Sequence, residues 1–347
     1  MIEPTTSWRM PEETCKHKRT WMAFGASEDL WGNKLDDVRA CLAHLAREIA
    51  RFEPVTMLVR PEEKGIAARL CGDGVELVEA ALDDIWIRDS GPAFVFGPES
   101  QLGAVDLNFN GWGGKQACEK DRKVAKLVAD RAGAVHLQAG FVGEGGGIEV
   151  DGDGTAIITE SCILNKNRNP GMEKEQMEAE LERTLGISKV IWLKGVKGKD
   201  ITDAHIDFYA RFVRPGTVVA GLENDPECFD HKVTRRNIEI LRNSMDAKGR
   251  SLNVEVIESP NCLRKNYMSK DFAAGYINYH LVNGAVIVPE FGDLEADEKC
   301  RKTLLRLFPD REIVQLDIDP IAWGGGGIHC VTLGEPLPKE EGDPLLS

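Results

Sequence analysis

The stretch YINYHLVNGAVIV, residues 276–288, decides the fold that the sequence predicts. Its two halves, Tyr276–Val282 and Ala285–Val288, are rich in the aromatic and β-branched residues that favour strands. Asn283-Gly284 lies between them, and this pair is the strongest short signal for a two-residue hairpin turn. The stretch therefore predicts an antiparallel β-hairpin.

The same pattern recurs along the chain, each time followed by an amphipathic helix and a further apolar strand. Other hairpin-like pairs are predicted at Ile85–Phe96 with Val105–Phe109, Ile148–Val150 with Ala156–Thr159, and Ile206–Val213 with Val218–Ala220. Helices are predicted over Lys34–Phe52, Cys118–Gly133, Gly171–Gly186, Phe229–Gly249 and Asp297–Phe308. The strands that follow them are Val55–Val59, Ala134–Gln138, Val190–Leu193, Val254–Ile257 and Ile313–Leu316. This recurrence indicates five repeated units of strand, strand, helix and strand.

The two ends of the chain complete the pattern. Gly327–Leu333 supplies a strand near the C-terminus, and Thr20–Phe24 can pair with it and close a ring. The predicted fold class is therefore α/β: a five-fold pseudosymmetric α/β propeller with strands toward the centre and helices outside. We expect one domain over residues 1–333 and a poorly ordered tail over 334–347, which is rich in Pro, Gly and Glu. An ordinary mixed α/β domain is the alternative.

Composition and charge restrict the class of partner. Lys and Arg number 43 and Asp and Glu 57, so the net charge is −14, which suits a small cationic ligand better than nucleic acid. No apolar run approaches the ~20 residues that span a bilayer, and no signal-peptide pattern is visible, so we expect a cytoplasmic protein without membrane contact. The nine cysteines are scattered without a C-x-x-C pair, which indicates reduced thiols rather than a zinc site.

Chemically useful side chains occupy equivalent places in successive units, at or next to the first strand of each hairpin. These are Asp89, Glu144, His205 with Asp207, and Cys330. In a propeller such positions converge on the central axis. The pattern therefore predicts one pocket that combines a thiol, an imidazole and several carboxylates.

Cys330 closely follows four consecutive glycines, Gly324–Gly327. Such a run weakens regular structure and suits backbone that approaches another group closely or donates N–H groups. We therefore favour Cys330 as a nucleophile, although a buried core position is the usual fate of a cysteine beside an apolar strand. His329 would face the opposite side of a regular strand and is interpreted as structural.

His205 lies between Asp203 and Asp207 at alternate positions, so all three would share one face of a strand. Three polar groups on one face are costly in an apolar core, which favours a functional site over a structural histidine. Asp89 and Glu144 are ambiguous alone, because the first could be a turn carboxylate or pair with a neighbouring arginine, and the second could simply end a strand.

Several stretches in this order resemble the agmatine deiminase family, within the Porphyromonas-type peptidylarginine deiminase group of guanidine-modifying enzymes. They are RTWMAF, WIRDSGPAF, NFNGWGGK, EGGGIEVDGDGTAIITESCILNKNRNPG, TDAHIDFYARF, NYHLVNGAVIVPEFGD and GGGGIHCVT, within Met10–Thr332. The resemblance implies the family's five-fold α/β propeller, the pentein fold. The sequence departs from the family at Ala204 where Gly is usual, Phe24-Gly25 where Trp-Pro is usual, Gly147 where Ser is common, and Glu13–Lys16, where a Trp and a Pro are replaced.

By that resemblance, Cys330 is the nucleophile, His205 is the general acid and base, and Asp89 and Asp207 hold a guanidinium group. Glu144 supports the site beside His205. The implied reaction is hydrolytic deimination through a covalent thiouronium intermediate, for which neither a metal nor an organic cofactor is required.

The expected reaction converts agmatine to N-carbamoylputrescine and ammonia, which fits polyamine biosynthesis. No arginine or lysine occurs between the RDSGP motif and Lys115 to meet a substrate carboxylate, which favours a substrate with an amine tail. Trp86 and Trp112 are candidate apolar walls for its tetramethylene chain, although Trp86 fits a core position equally well. Deimination of peptidyl-arginine or another small guanidine, and a non-enzymatic ribosome-binding role, are the alternatives; a homodimer is the assembly considered.

Overall fold

The computed structural model describes residues 8–338, whose regular elements recur in the predicted order. The strands are β1 (His17–Phe24), β2 (Val55–Val59), β3 (Val75–Glu79), β4 (Ala93–Phe96), β5 (Leu102–Asp106), β6 (Val135–Gln138), β7 (Ile148–Val150), β8 (Thr155–Thr159), β9 (Lys189–Leu193), β10 (Ala210–Arg214), β11 (Thr217–Leu222), β12 (Asn253–Glu258), β13 (His280–Val282), β14 (Ala285–Glu290), β15 (Glu312–Asp317) and β16 (Leu333–Pro336). The α-helices are α1 (Glu28–Trp31), α2 (Leu35–Ile49), α3 (Lys64–Cys71), α4 (Ile87–Ser90), α5 (Gly111–Gly114), α6 (Val124–Ala132), α7 (Glu160–Ile163), α8 (Lys174–Leu185), α9 (His231–Arg242), α10 (Leu294–Leu307) and α11 (Asp319–Ala322).

Five small sheets hold these strands. Four have the orders β4-β5-β6, β7-β8-β9, β10-β11-β12 and β13-β14-β15, in which the first two strands pair antiparallel and the third pairs parallel with the second. The fifth has the order β16-β1-β2-β3, so the last strand pairs antiparallel with the first. The predicted five-unit α/β propeller and the pairing of its two ends are thereby confirmed.

One amphipathic helix precedes a parallel strand in each unit, as the spacing of apolar residues predicted. The helix α2 buries residues three and four positions apart, namely Val38, Leu42, Leu45 and Ile49. All five predicted helices are present as α2, α6, α8, α9 and α10, with shifted ends. Within residues 8–338, no helix is both long and apolar enough to cross a membrane.

The first unit has an additional helix and strand, α3 and β3, that the sequence analysis did not anticipate. β3 pairs parallel with β2 at the edge of its sheet. Val75 and Val78 are buried in this strand while Glu76 and Glu79 are exposed. This spacing fits neither the period of a half-buried strand nor a full helix, which explains why the pattern was not recognised.

Three predicted strands begin later than expected because the chain first makes a helical turn. The turn α4 precedes β4 in Ile85–Phe96, a 3-10 turn at Ile206–Phe208 precedes β10, and a 3-10 turn at His329–Val331 precedes β16. Bonds within the turns, such as Tyr209 N to Ile206 O at 2.7 Å, replace the bonds of a sheet ladder. The prediction of continuous strands is therefore wrong at these three points, which carry Asp89, Asp207 and Cys330.

The predicted start of the tail at residue 334 is also wrong. β16 continues through Pro336, and Trp21 Nε1 on β1 donates to the buried carboxylate of Glu335 at 2.9 Å. This bond and the pairing with β1 explain why a segment of tail-like composition is part of a sheet. The remainder of the predicted tail, from residue 339, lies outside the described residues.

Candidate active site

A cavity of about 1140 Å³ opens among segments from different units of the propeller. Asp89, His205 and Cys330 line it, and so do both tryptophans proposed as apolar walls, Trp86 and Trp112. Side chains that are far apart in the sequence therefore share one space, as expected for a site at the centre of a propeller.

Asp89 is placed by the helical turn α4. The backbone N–H of Gly146 donates to Asp89 Oδ1 at 3.1 Å, and Trp112 Nε1 donates to Oδ2 at 2.9 Å. Burial raises the pKa of the Asp89 carboxyl, and the nearby carboxylates of Glu144 and Asp207 add to this effect. The ionised form of Asp89 is therefore disfavoured until a cation lies beside it.

His205 lies between two carboxylates. Its Nε2 is 3.4 Å from Glu144 Oε2, and its Nδ1 is 3.7 Å from Asp89 Oδ1. Although burial opposes a charged ring, Asp89, then Cys162 and then Glu144 raise the pKa of His205 well above its usual value. Arg168 Nε binds both oxygens of Glu144, at 2.8 and 3.0 Å, and so fixes the carboxylate that faces the imidazole.

Asp207 has one oxygen bound and one oxygen open. His329 Nδ1 donates to Oδ2 at 2.8 Å, whereas Oδ1 is buried without a hydrogen-bond partner among residues 8–338. Despite burial, the bond from His329 and its charge lower the pKa of Asp207. A buried, ionised carboxylate with an open oxygen is an acceptor for a cation that carries N–H donors.

Cys330 lies on the 3-10 turn that precedes β16. Its Sγ is 3.7 Å from Asp207 Oδ2 and 3.4 Å from Asn278 Nδ2. Burial, and then the negative charges of Asp207 and Asp89, raise the pKa of the thiol well above its usual value. A cation held between the two carboxylates would oppose this shift and favour the thiolate.

Glycines allow backbone to approach these groups closely. A Cβ on Gly146 would lie 2.7 Å from His205 Nδ1, and 3.0 Å from both Asp89 Oδ1 and Asp207 Oδ2. A Cβ on Gly326 would lie 2.2 Å from an indole ring that lines the cavity. The expectation that the glycine-rich stretches mark a close approach of backbone is confirmed.

The five side chains predicted to share a pocket, namely Cys330, His205, Asp207, Asp89 and Glu144, lie close together, but only Cys330, His205 and Asp89 line the cavity, and Asp207 and Glu144 are buried behind them. Glu144 lies behind His205 and is 1% exposed. The roles assigned to these residues, and to Trp86 and Trp112, stay predictions at this point.

Two neighbouring side chains are placed differently from the prediction. Asp203 does not share a strand face with His205 and Asp207; it binds Arg168 Nη1 at 2.9 Å and Lys115 Nζ at 2.7 Å. The backbone has a positive φ of 63° at position 203 and 76° at position 204, so no regular strand exists there. His329 is also not on a regular strand: the 3-10 turn places its ring on Asp207, and the ring does not line the cavity, so its interpretation as structural stays a prediction.

Sequence reasoning missed three residues of the site and its surroundings. Asn278 and Arg168 lie in the stretches NYHLVNGAVIVPEFGD and NKNRNPG, so the resemblance contained a signal for both. Glu13 contacts His329 although the two are 316 positions apart in the chain, and no local pattern indicates such a contact.

Two groups of buried side chains have the donor types and spacing of a metal site. They are Glu144, Cys162 and His205, and His17, Glu53 and His280, with ligand atoms within 4.8 Å of one another in each group. Arg168 already neutralises the carboxylate of the first group. In the second group Thr20 Oγ1 donates to the glutamate and lies 2.8 Å from a histidine Nε2. Protein donors therefore already occupy the principal ligand atoms in both groups.

Related proteins share this sequence and architecture. A protein from Streptomyces coelicolor is 42% identical over 95% of this chain and 99% of its own length. The agmatine deiminase of Stutzerimonas stutzeri is 36% identical over 95% of both chains. The structure of the agmatine deiminase of Enterococcus faecalis superposes with a TM-score of 0.90 at 30% identity, covering 96% of this chain and 98% of that chain.

A model of the Porphyromonas-type peptidyl-arginine deiminase family matches residues 9–336. A structure from Porphyromonas gingivalis agrees with this match, with a TM-score of 0.85 and 27% identity over 95% of this chain and 98% of that chain. Because the family match extends over almost all described residues, the chain belongs to the Porphyromonas-type peptidyl-arginine deiminase family.

Proposed function

We propose that this protein is a hydrolase that converts agmatine to N-carbamoylputrescine and ammonia. One observation carries the proposal: Cys330, His205 and Asp89 line one cavity, and Asp207, whose Oδ2 lies 3.7 Å from Cys330 Sγ, has a buried Oδ1 without a hydrogen-bond partner among the described residues. The agmatine deiminases of Stutzerimonas stutzeri and Enterococcus faecalis, to which this chain is similar, support the choice of agmatine.

The two aspartates bind the guanidinium group of the substrate. A guanidinium is a planar, delocalised cation with N–H donors around its edge, and carboxylates accept charge-assisted bonds from it. Asp207 Oδ1 is open for such a bond, and the raised pKa of Asp89 indicates a carboxyl that gains from a cation beside it. Binding therefore holds the guanidinium carbon near Cys330 and favours the thiolate.

Cys330 and His205 carry out the chemistry. The thiolate attacks the guanidinium carbon and forms a C–S bond; His205 then gives its proton to the departing nitrogen, and the C–N bond breaks to release ammonia. Water adds to the carbon of the remaining thiouronium while His205 accepts a proton. The C–S bond then breaks and releases the ureido product, so one water is consumed for each ammonia formed.

Glu144 and Arg168 keep His205 in place for these proton transfers. The imidazole faces Glu144 through Nε2, and Arg168 holds both oxygens of that glutamate. The pKa of His205 is raised well above its usual value because Asp89, Cys162 and Glu144 outweigh the effect of burial, which favours the protonated ring that gives its proton to the leaving nitrogen.

The cavity wall favours a substrate with a cationic tail. Among the described lining residues, eight are acidic and four are lysines, and none is an arginine. Agmatine has an ammonium at the end opposite the guanidinium and no carboxylate, whereas arginine would need a cationic partner for its carboxylate. The charge of the wall therefore supports agmatine over free arginine.

A colour assay for ureido products tests this function directly. Purified protein is incubated with agmatine, free arginine and a peptidyl-arginine, and we expect product mainly with agmatine. Preference for the peptide would replace agmatine by peptidyl-arginine as substrate, and absence of product with all guanidines would overturn the proposal.

Substitution of the nucleophile tests the mechanism. Cys330→Ala should abolish ureido formation while the thermal unfolding transition is retained, because no other group can form the covalent intermediate. Cys300→Ala is the matched control, since Cys300 is 2% exposed on α10 and lies outside the cavity lining. That control should lose about 1–2 kcal/mol of stability and keep its turnover; turnover by Cys330→Ala would contradict the mechanism.

A further inference from the structure

A single carboxylate, that of Glu13, contacts three basic side chains, two arginines and one histidine. Its Oε1 accepts from Arg88 Nη1 at 2.7 Å and from His329 Nε2 at 2.9 Å, and its Oε2 accepts from Arg211 Nη2 at 2.5 Å. The side chain is only 18% exposed. Glu13 therefore joins segments that are otherwise separated by most of the chain.

Two of these partners, Arg88 and His329, are adjacent in sequence to residues of the site. Arg88 precedes Asp89, and its Nε also donates to the backbone oxygen of His329 at 3.3 Å. His329 precedes Cys330 and binds Asp207 Oδ2 at 2.8 Å through its other nitrogen. One carboxylate thus holds the neighbours of the nucleophile and of both guanidinium-binding aspartates.

Arg211 extends the same contacts to Asn278. Its Nη1 donates to the backbone oxygens of Tyr279, at 3.0 Å, and Ile277, at 3.4 Å, on either side of Asn278. Asn278 Nδ2 in turn is 3.4 Å from Cys330 Sγ. The position of the residue beside the thiol therefore also depends on a guanidinium that Glu13 binds.

The charges explain why Glu13 cannot be replaced by a neutral side chain without consequence. Despite burial, the charges of Arg88, His329 and Arg211 hold the pKa of Glu13 well below its usual value. Removal of its charge would leave these buried cations with less compensation, and His329 would lose the acceptor that orients its ring. The ring is what occupies Asp207 Oδ2 and leaves Oδ1 open.

We propose that Glu13 is a positioning residue that sets the orientation of Asp207 through His329 and of Asp89 through Arg88. The inference rests on the proposed function, because its consequence is guanidinium binding at these two aspartates. Glu13 touches neither the substrate nor the reacting atoms; it fixes the direction in which the two acceptors face.

The test compares a cationic and a neutral reagent for Cys330. In Glu13→Gln, kcat/KM for agmatine should fall by about 100-fold or more. Two reagents alkylate Cys330: 2-chloroacetamidine, which is a cation, and its neutral analogue 2-chloroacetamide. The ratio of the first rate to the second should fall by about tenfold or more, because the two aspartates orient only the cation. A purely structural role would slow both reagents alike or change only the unfolding temperature.

Matched variants keep the test decisive. Glu63 is a buried carboxylate that binds Arg39 and Arg60 on the first unit, so Glu63→Gln removes an equivalent charge outside the cavity lining. It should lose stability and keep the reagent preference. If Glu13→Gln does not fold, His329→Gln is used in its place and should lose the same reagent preference. Glu13→Asp keeps the negative charge and should retain part of that preference.

The outcomes separate this inference from the proposed function. A folded Glu13→Gln protein that keeps the wild-type preference for 2-chloroacetamidine over 2-chloroacetamide would overturn the inference. The inference would also fail if Glu63→Gln lost this preference to the same extent as Glu13→Gln. If Glu13→Gln does not fold, a His329→Gln protein that keeps the wild-type reagent preference would overturn the inference. If the wild-type protein forms no ureido product, the proposed function fails, whereas the alkylation preference still reports on Glu13.

Discussion

Two buried groups of histidines and carboxylates lie in this propeller, one at the cavity and one where the first and last units meet. The cavity group consists of Asp89, Glu144, His205, Asp207 and Cys330. The joint group consists of His17, Thr20, Glu53 and His280, and its two imidazole rings stack with centroids 5.8 Å apart. Because the residue types are so similar, the comparison shows which features distinguish a reactive site from a structural contact.

The carboxylate oxygens differ between the two groups. In the joint group, Glu53 Oε1 accepts from Thr20 Oγ1 at 2.6 Å and lies 3.2 Å from His17 Nδ1, while Oε2 accepts from the backbone N–H of Asn283 at 2.7 Å. Both oxygens are thus used within the fold. In the cavity group Asp207 Oδ1 has no partner among the described residues. A carboxylate oxygen without a partner, rather than the presence of histidine and carboxylate, therefore distinguishes the cavity group from the joint group.

The pKa of Glu53 in the joint group and the pKa of Asp89 in the cavity group shift in opposite directions. Although burial acts against it, the bond with His17 and the other donors lower the pKa of Glu53, which is typical of an anion that the fold stabilises. Burial and neighbouring carboxylates instead raise the pKa of Asp89. Within the cavity group it is therefore Asp89 that carries an electrostatic cost which binding of a cation would relieve, because the pKa values of Asp207 and Glu144 are lowered.

Of the variants that test this comparison, Asp207→Asn should have the largest effect. We expect turnover of agmatine to fall by about 1000-fold or more, because an oriented charge in the binding site is lost. The reactivity of the thiol should instead increase. Apart from burial, the charge of Asp207 is the main cause that raises the pKa of Cys330. Removal of that charge therefore lowers the pKa of the thiol and increases the thiolate fraction at pH 8.

Alkylation by neutral 2-chloroacetamide, followed from pH 6 to pH 10, measures this shift. The midpoint of the rate profile should move to lower pH in Asp207→Asn. An unchanged midpoint together with normal turnover would remove Asp207 from the cavity group.

Gly146→Ala tests how tightly the cavity group is packed. The added Cβ would lie 2.7 Å from His205 Nδ1, so the ring or the neighbouring aspartates must shift, and we expect kcat/KM to fall by about 100-fold. Gly65→Ala on α3 is the control, because no heavy atom lies within 4 Å of the Cβ position and φ is not positive there. Steady-state kinetics measure kcat/KM for both variants. Equal values of kcat/KM for Gly146→Ala and Gly65→Ala would contradict tight packing around Gly146.

Glu53→Gln tests the joint group. We expect a loss of about 1–3 kcal/mol in the free energy of unfolding, since a buried acceptor is lost, and a kcat within about twofold of wild type. The pKa of Glu53 is lowered in the folded state, so its contribution is present above the ordinary glutamate pKa and is lost as the pH falls through the folded value.

Urea unfolding at neutral and acidic pH should therefore show a difference between wild type and Glu53→Gln that narrows in acid. A variant that lost turnover in proportion to its stability would mean that the two groups are not functionally separate.

The smallest expected effect is that of Ala204→Gly beside His205. Ala204 has a φ of 76°, a conformation that costs an L-residue energy and that glycine adopts freely. We expect a gain of about 0.5–1 kcal/mol in stability, seen as a higher melting temperature, with kcat within about twofold of wild type. A lower melting temperature would show that contacts of the Ala204 methyl outweigh the backbone strain.

The fold and much of the site could be predicted from the sequence. The unit pattern follows from local periodicity and turn residues, as at Asn283-Gly284, which joins β13 and β14 as expected. The convergence of Asp89, His205 and Cys330 follows from their equivalent places in the units. Resemblance to a family adds the roles of these residues, but not their geometry.

The orientation of several side chains could not be predicted, because it depends on backbone turns rather than on strand periodicity. The side chain of Asp203 points elsewhere than expected because positive φ values at positions 203 and 204 interrupt the strand, and that of His329 because a 3-10 turn breaks the alternation that a strand would impose. Glu13 could not be found, because its partners Arg88 and His329 lie 75 and 316 positions away. Only the folded chain shows such contacts.

The pairing of β16 with β1 has a consequence for biosynthesis. Translation proceeds from the N-terminus, so the sulfur of Cys330 emerges from the ribosome after Asp89, Glu144, His205 and Asp207 have already been made. The closing strand starts at Leu333, immediately after the segment that carries this sulfur. On the proposed mechanism, a nascent chain therefore lacks its nucleophile until residue 330 has been made, and premature termination before that residue would leave the other four side chains without a thiol to act on the substrate.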